Sequence, residues 1–76
     1  MVEALILINT TTGVMDKVYR EVRRLEEVRK SAMVTGPYDI IALVETEVIG
    51  DIRDSLIEKI RSIDGVKKTT TNLVIS

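Results

Sequence analysis

Apolar and polar positions divide the chain into six segments with two periodicities. Val2-Glu3-Ala4-Leu5-Ile6-Leu7-Ile8 is short and continuously apolar in its second half, which predicts a strand over Val2–Ile8. Asn9 to Gly13 is a polar cluster that ends this strand and offers hydroxyl caps to a helix. From Val14 the period changes. Val14, Val18, Val22 and Leu25 recur at helical spacing, widened by Met15 and Tyr19, and predict a helix from Val14 to Glu26 or Glu27. Val28–Thr35 reads as a strand with charge in its first half. Gly36-Pro37 is strong turn punctuation, and Tyr38–Glu45 follows as a strand whose Ile40–Val44 portion is unbroken. Ile49, Ile52, Leu56, Ile60 and Ile63 then form the stripe of a second helix over Ile49–Ile63, with Asp51 and Asp54 early, where acids suit the helix dipole. Gly65 stands where a left-handed residue ends a helix, and Val66–Ile75 is the last strand.

The order β-α-β-β-α-β predicts an α+β, ferredoxin-like domain, with one four-stranded antiparallel sheet and two helices on one face. The unbroken apolar runs belong on central strands, the first and third. Arg29, Lys30, Lys67 and Lys68 belong on the edges, where charge discourages further pairing. A sheet wet on one face alternates apolar with polar, yet the two central runs do not. Their second face therefore calls for cover, most simply an identical sheet in a two-fold dimer that closes into a barrel-like α/β assembly.

Composition sharpens this expectation. Seventy-six residues make one small domain, expected to span residues 1–76. At this size a single core seldom supplies more than about 3–5 kcal/mol. With no Cys and no His there is neither a disulfide nor an ordinary zinc staple, so association is the staple that remains. The same absence removes the imidazole base and thiolate nucleophile of the commonest catalytic constellations, and neither a catalytic residue, a metal site nor a cofactor is expected. Net charge is −1 and the only aromatics are Tyr19 and Tyr38, which argues against direct nucleic-acid binding. Lys17, Arg20, Arg23 and Arg24 are interleaved with Glu21, Glu26 and Glu27, the pattern of a solvated face. No apolar run is long enough for a membrane span, and a cytoplasmic location is expected.

Asp39 and the run Thr69, Thr70, Thr71 are the remaining candidates for chemistry. Asp39 reads either as a turn acceptor or as a partner for a ligand ammonium beside loop N–H donors. The threonines read as edge-strand formers or as ligand-facing hydroxyls. Thr35-Gly36-Pro37-Tyr38-Asp39-Ile40, an apolar strand ending near Val44, a helix, and Gly65-Val66 leading into Thr69–Thr71 together resemble the C-terminal domain of the Lrp/AsnC regulators, known for the regulation of amino-acid metabolism. The resemblance covers essentially the whole chain. It implies a sheet-mediated dimer, assembly of dimers into rings of commonly eight subunits, and amino-acid effectors held between dimers. Carried over by position, Gly36, Pro37, Tyr38 and Asp39 form the effector loop, with Thr69, Thr70 and Thr71 as further polar contacts. Pro37 stands at the variable position and removes one N–H donor.

Family regulators carry a helix-turn-helix ahead of this domain, whereas this chain begins at the first strand, as in stand-alone members. An accessory role in transcription is therefore expected, exerted through full-length relatives. The alternatives are a small dimeric enzyme on the same fold, an amino-acid-binding ACT-type module, and a purely structural oligomeriser.

Overall fold

The computed structural model describes residues 1–75. Its elements are β1 (Val2–Thr10), α1 (Met15–Val22), β2 (Val28–Met33), β3 (Ile40–Thr46), a helical stretch α2 over residues 49–61, and β4 (Val66–Leu73). The strands form one antiparallel sheet in the order β2-β3-β1-β4, with β1 and β3 central as the apolar runs predict. The charged residues Arg29, Lys30, Lys67 and Lys68 fall on the two edge strands.

The pleat sorts each central strand into two faces. Ala4, Ile6 and Ile8 of β1 and Ile40, Ala42 and Val44 of β3 are fully buried under the helices, against Val18 and Val22 of α1 and Ile52, Leu56 and Ile60 of α2. Their chain neighbours Leu5, Leu7, Ile41 and Leu43 point to the opposite face and are half-buried. They form two cross-strand pairs, Leu5 with Leu43 and Leu7 with Ile41. The second face is thus apolar at its centre and uncovered within one chain.

The structure corrects the expected helices in three places. First, α1 ends at Val22 rather than at Glu26 or Glu27. Beyond it Arg24 and Leu25 donate to carbonyls only three residues back, and the Glu27 carbonyl already accepts from the Glu45 N–H of β3. Leu25 keeps its apolar contact through a tightened turn, so the stripe outlasts the helix. Second, no hydroxyl of the Asn9–Thr12 cluster caps α1, whose N-cap is Val14. Thr11 instead donates its N–H and its hydroxyl to the Gly65 carbonyl, at 2.8 and 3.3 Å. Third, α2 is not one regular helix. An α turn, Ile49–Asp51, leads into a π-helical turn, Ile52–Leu56, and then an α segment, Ile57–Arg61. The Ile57 N–H donates to the Ile52 carbonyl five residues back. The inserted residue keeps both Leu56 and Ile57 inward and leaves Ile49, the head of the expected stripe, 49% exposed. Strand ends also move: β1 runs on to Thr10, β2 stops at Met33 and β4 at Leu73.

Two contacts tie helices to loops. Gly65 has φ of +105°, and a Cβ there would lie 2.7 Å from Val14 Cγ2 and 3.0 Å from Val18 Cγ2. It is the point where the turn after α2 meets the first turns of α1. Across the other end, Lys59 Nζ donates to Glu27 Oε2 at 2.9 Å. This bond holds the Glu27 carboxyl below its ordinary pKa of 4.5, against the partial burial that would raise it, and lifts Lys59 above its ordinary value.

Gly65→Ala should cost about 2–4 kcal/mol, combining left-handed strain with overpacking. Gly13→Ala, at φ +88° with nothing within 4 Å of the added carbon, should cost only the strain, about 1–2 kcal/mol. Urea midpoints of the two variants check this, and equal losses would refute the packing argument.

The ion pair sets a pH dependence. Because Glu27 is depressed in the folded chain, its contribution is full above the unfolded-state value and is lost as pH falls through the folded one. Removing the ammonium in Lys59→Gln should therefore narrow the gap between urea midpoints at pH 7 and pH 3. An unchanged gap would show the pair to be without thermodynamic weight.

Candidate functional site

One end of the sheet gathers the polar residues singled out in the sequence. There β1 ends, β3 and β4 begin, and the connection between β2 and β3 passes through Gly36, Pro37, Tyr38 and Asp39. Gly36 takes φ of +120°, the left-handed conformation the turn requires. The loop is pinned to the end of β1 at several points. The Asp39 N–H donates to the Ile8 carbonyl at 3.0 Å, and the Asp39 carbonyl accepts from Val34 at 2.9 Å. Its carboxylate Oδ2 accepts from the Thr10 N–H at 2.8 Å and from the Thr10 hydroxyl at 3.3 Å. Asn9 Nδ2 donates to the Pro37 carbonyl at 2.7 Å.

A β-bulge marks the other edge of β1. Asn9 pairs with Lys68, but Thr10 pairs with Val66, so Lys67 is the extra residue. The Thr10 N–H lies on the edge that faces β3, where strand pairing has ended and Asp39 receives it. The turn-acceptor reading of Asp39 holds, and its half-buried side chain lies beside exposed Gly36 and Pro37 and half-buried Tyr38. Asn9 and Thr10 had no part in the sequence-derived site. They were legible only as a strand-ending cluster, because nothing local shows that register sets them level with Asp39.

The three threonines do not act as one surface. Thr69 and Thr71 pair with Ile8 and Ile6 and share the helix face, whereas Thr70 pairs with Leu7 and points to the open face. Thr69 lies level with Ile8, which in turn pairs with Ile40. Two strand spacings, about 10 Å, therefore separate it from the effector loop. Thr70 shares its face with the apolar patch of Leu5, Leu7, Ile41 and Leu43.

Among the described residues, Gly36–Asp39 line none of the principal hollows. A hollow of about 470 Å³ lies at the opposite end of the sheet beside Thr46, lined by acids that include Glu26, Glu27, Glu45, Glu47 and Asp51. Two of those acids are already engaged, Glu45 by Arg29 at 2.7 Å and Glu27 by Lys59. Carboxylates dominate the hollow and Arg29 is its one cationic side chain, a setting that disfavours a ligand carboxylate. Among the described residues no group of His, Cys, Asp and Glu is arranged to hold a metal ion, and no helix is long and apolar enough to cross a membrane. On α1, Lys17 meets Asp64 at 3.5 Å and Arg23 lies 5.5 Å from the Tyr19 ring centroid, the arrangement of a solvated face.

The chain matches the family model of the Lrp/AsnC ligand binding domain over residues 3–76. It is 30% identical over 73 residues to an uncharacterised helix-turn-helix-type transcriptional regulator of Pyrococcus abyssi, covering 96% of this chain and 46% of the relative. The chain thus spans about half the length of that regulator. It is also 36% identical over 58 residues to a homocitrate synthase of Sulfolobus acidocaldarius, across 76% of this chain and 12% of the enzyme. Among solved structures, TTHA0845 from Thermus thermophilus superposes with a TM-score of 0.93 at 30% identity, covering 100% of this chain and 95% of that one. The feast or famine regulatory protein of M. tuberculosis, complexed with L-methionine, shares the fold with a TM-score of 0.84 at 21% identity, covering 100% of this chain and 51% of that one. With the sheet order, the pinned Gly-Pro-Tyr-Asp loop and a family match that runs nearly end to end, this chain belongs to the Lrp/AsnC ligand-binding-domain family.

Proposed function

We propose that this chain is a cytoplasmic amino-acid-sensing and oligomerisation module, a single domain without catalytic activity of its own. The observation that carries the reading is the loop Gly36–Asp39, held in a fixed shape by Thr10 and Asn9 at the rim of an apolar sheet face that one chain leaves uncovered. Asp39 supplies the acceptor for the effector's ammonium. Neighbouring backbone donors serve its carboxylate, with a second subunit closing the site; of the three threonines only Thr70, which shares the open sheet face, is included. The methionine complex of the M. tuberculosis protein supports an amino acid as the ligand class.

Assembly supplies the other half of the mechanism. Leu5, Leu7, Ile41 and Leu43 meet their counterparts in a dimer, and dimers assemble further, with eight subunits as the expected ring. A standard interface removes about 800 Å² per partner, roughly a sixth of this chain's 4978 Å² of accessible surface, which one sheet face can provide. An effector bound across subunits stabilises the assembly that completes its site, by about 2.7 kcal/mol at a hundredfold excess over Kd. The readout then belongs to a partner: a helix-turn-helix relative that co-assembles, or an enzyme, as the likeness to a segment of homocitrate synthase supports.

Two outcomes follow. Leu7→Glu should convert the assembly to monomers in sedimentation velocity while the circular dichroism spectrum stays that of the parent; an undisturbed dimer would remove the sheet face from the interface. Asp39→Asn keeps an acceptor for Thr10 but removes the charge. It should weaken the effector identified by native mass spectrometry against the twenty amino acids by at least tenfold, with little change in Tm. Unaltered affinity, or a parent chain that binds no amino acid at any oligomeric state, would sink the sensing role.

A further inference from the structure

A second space, distinct from the effector loop, lies between α2 and the helix face of β4. It is a groove of about 340 Å³. One wall is a row in which apolar and cationic residues alternate every fourth position: Ile49, Arg53, Ile57 and Arg61. The other wall is Thr71 and Leu73, which pair with Ile6 and Ala4 and so stand on the helix face, and the floor is fully buried Ile52. The π-helical turn creates this arrangement. It brings Ile57 over Ile52 through the five-residue hydrogen bond and leaves Ile49 exposed at the groove's mouth, opposite Leu73, which is 43% exposed.

The charged groups lining the groove are both cationic, Arg53 and Arg61, beside the hydroxyl of Thr71. Arg61 Nε donates to Thr69 Oγ1 at 3.4 Å, which orients the guanidinium and leaves both terminal nitrogens for another acceptor. Arg53 touches only its exposed neighbour Asp54, at 3.4 Å. No carboxylate lines the groove. Guanidinium donors at one wall, with aliphatic carbon and a single hydroxyl elsewhere, fit a monocarboxylate with a branched apolar tail. A guanidinium takes a carboxylate bidentately, and the volume stands at the small end of ligand pockets. A zwitterionic amino acid fits less well, since its ammonium would enter the groove with no acid to receive it.

We propose that the groove between α2 and β4 is a binding site for small branched-chain carboxylates that lack an α-ammonium, 2-oxo acids and short branched fatty acids, held by Arg61 over Ile57 and Leu73. The site is independent of the effector loop and needs no second subunit. It gives the chain a means of weighing a deaminated acid against an amino acid.

The test is a methyl-resolved NMR titration of the whole chain, labelled at Ile and Leu, with 4-methyl-2-oxopentanoate, isovalerate, leucine and isoamylamine. The two carboxylates should shift the Ile49, Ile57 and Leu73 methyls. Leucine should require at least tenfold more, and the amine should leave these methyls still. Arg61 is exposed, so Arg61→Gln leaves the core intact and should weaken both carboxylates at least tenfold. Arg61→Lys should recover part of the loss, and Asp39→Asn should change neither. The inference is overturned if no carboxylate shifts these methyls at millimolar concentration, or if Arg61→Gln binds as tightly as the parent. It is equally overturned if leucine competes on equal terms, or if the same methyls shift with protein concentration alone, which would make the occupant another copy of the chain.

Discussion

The rest of the structure depends on β1, a strand hydrogen-bonded along both edges and apolar on both faces. Its pairing with β3 and β4 satisfies its backbone completely across most of its length, so its side chains are free to be hydrophobic in both directions. On one face Ala4, Ile6 and Ile8 anchor the core beneath the helices. On the other, Leu5 and Leu7 continue the same apolar character toward solvent. Among the described residues nothing covers that second face, so Leu5 and Leu7 with Ile41 and Leu43 leave an open apolar patch at the centre of the sheet.

The helices are fastened to this sheet by few, specific contacts. Gly65 lets the turn after α2 approach Val14 and Val18 closely, and its carbonyl takes both donors of Thr11. The chain ends of both helices and of β1 thus converge at one corner. That corner adjoins the end of the sheet that carries Asp39, so the element that holds the fold together also holds the candidate loop in shape. The π turn in α2 works on the opposite edge. By moving Ile57 inward and Ile49 outward it trades a regular helix for a groove against β4.

Much of this was legible from residues alone. Gly36-Pro37 and Gly65 marked turns whose backbone angles only glycine adopts freely, and both glycines carry positive φ. Unbroken apolar runs against charged ones sorted central from edge strands, since period two and edge charge are local signals. The second helix was visible as a stripe, but its π turn was not: one inserted residue leaves an i, i+3, i+4 pattern readable while shifting what each position faces. The end of α1 was hidden for a similar reason. Leu25 continues the stripe because it is packed, although the backbone at Glu27 has already been captured by β3.

Adjacent residues and short periods encode the element order, the two-faced apolar character of the central strands, the turn chemistry and the loop that carries the family resemblance. That Asp39 accepts from Thr10 and Pro37 from Asn9 emerges only once the sheet is assembled. The tertiary structure alone parted Thr70 from Thr69 and Thr71 onto opposite faces, and set Arg61 beside a groove without an acid. Those outcomes turn on register and on which helix lies over which strand. They are relations between residues that stand far apart in the chain, where local pattern carries no information.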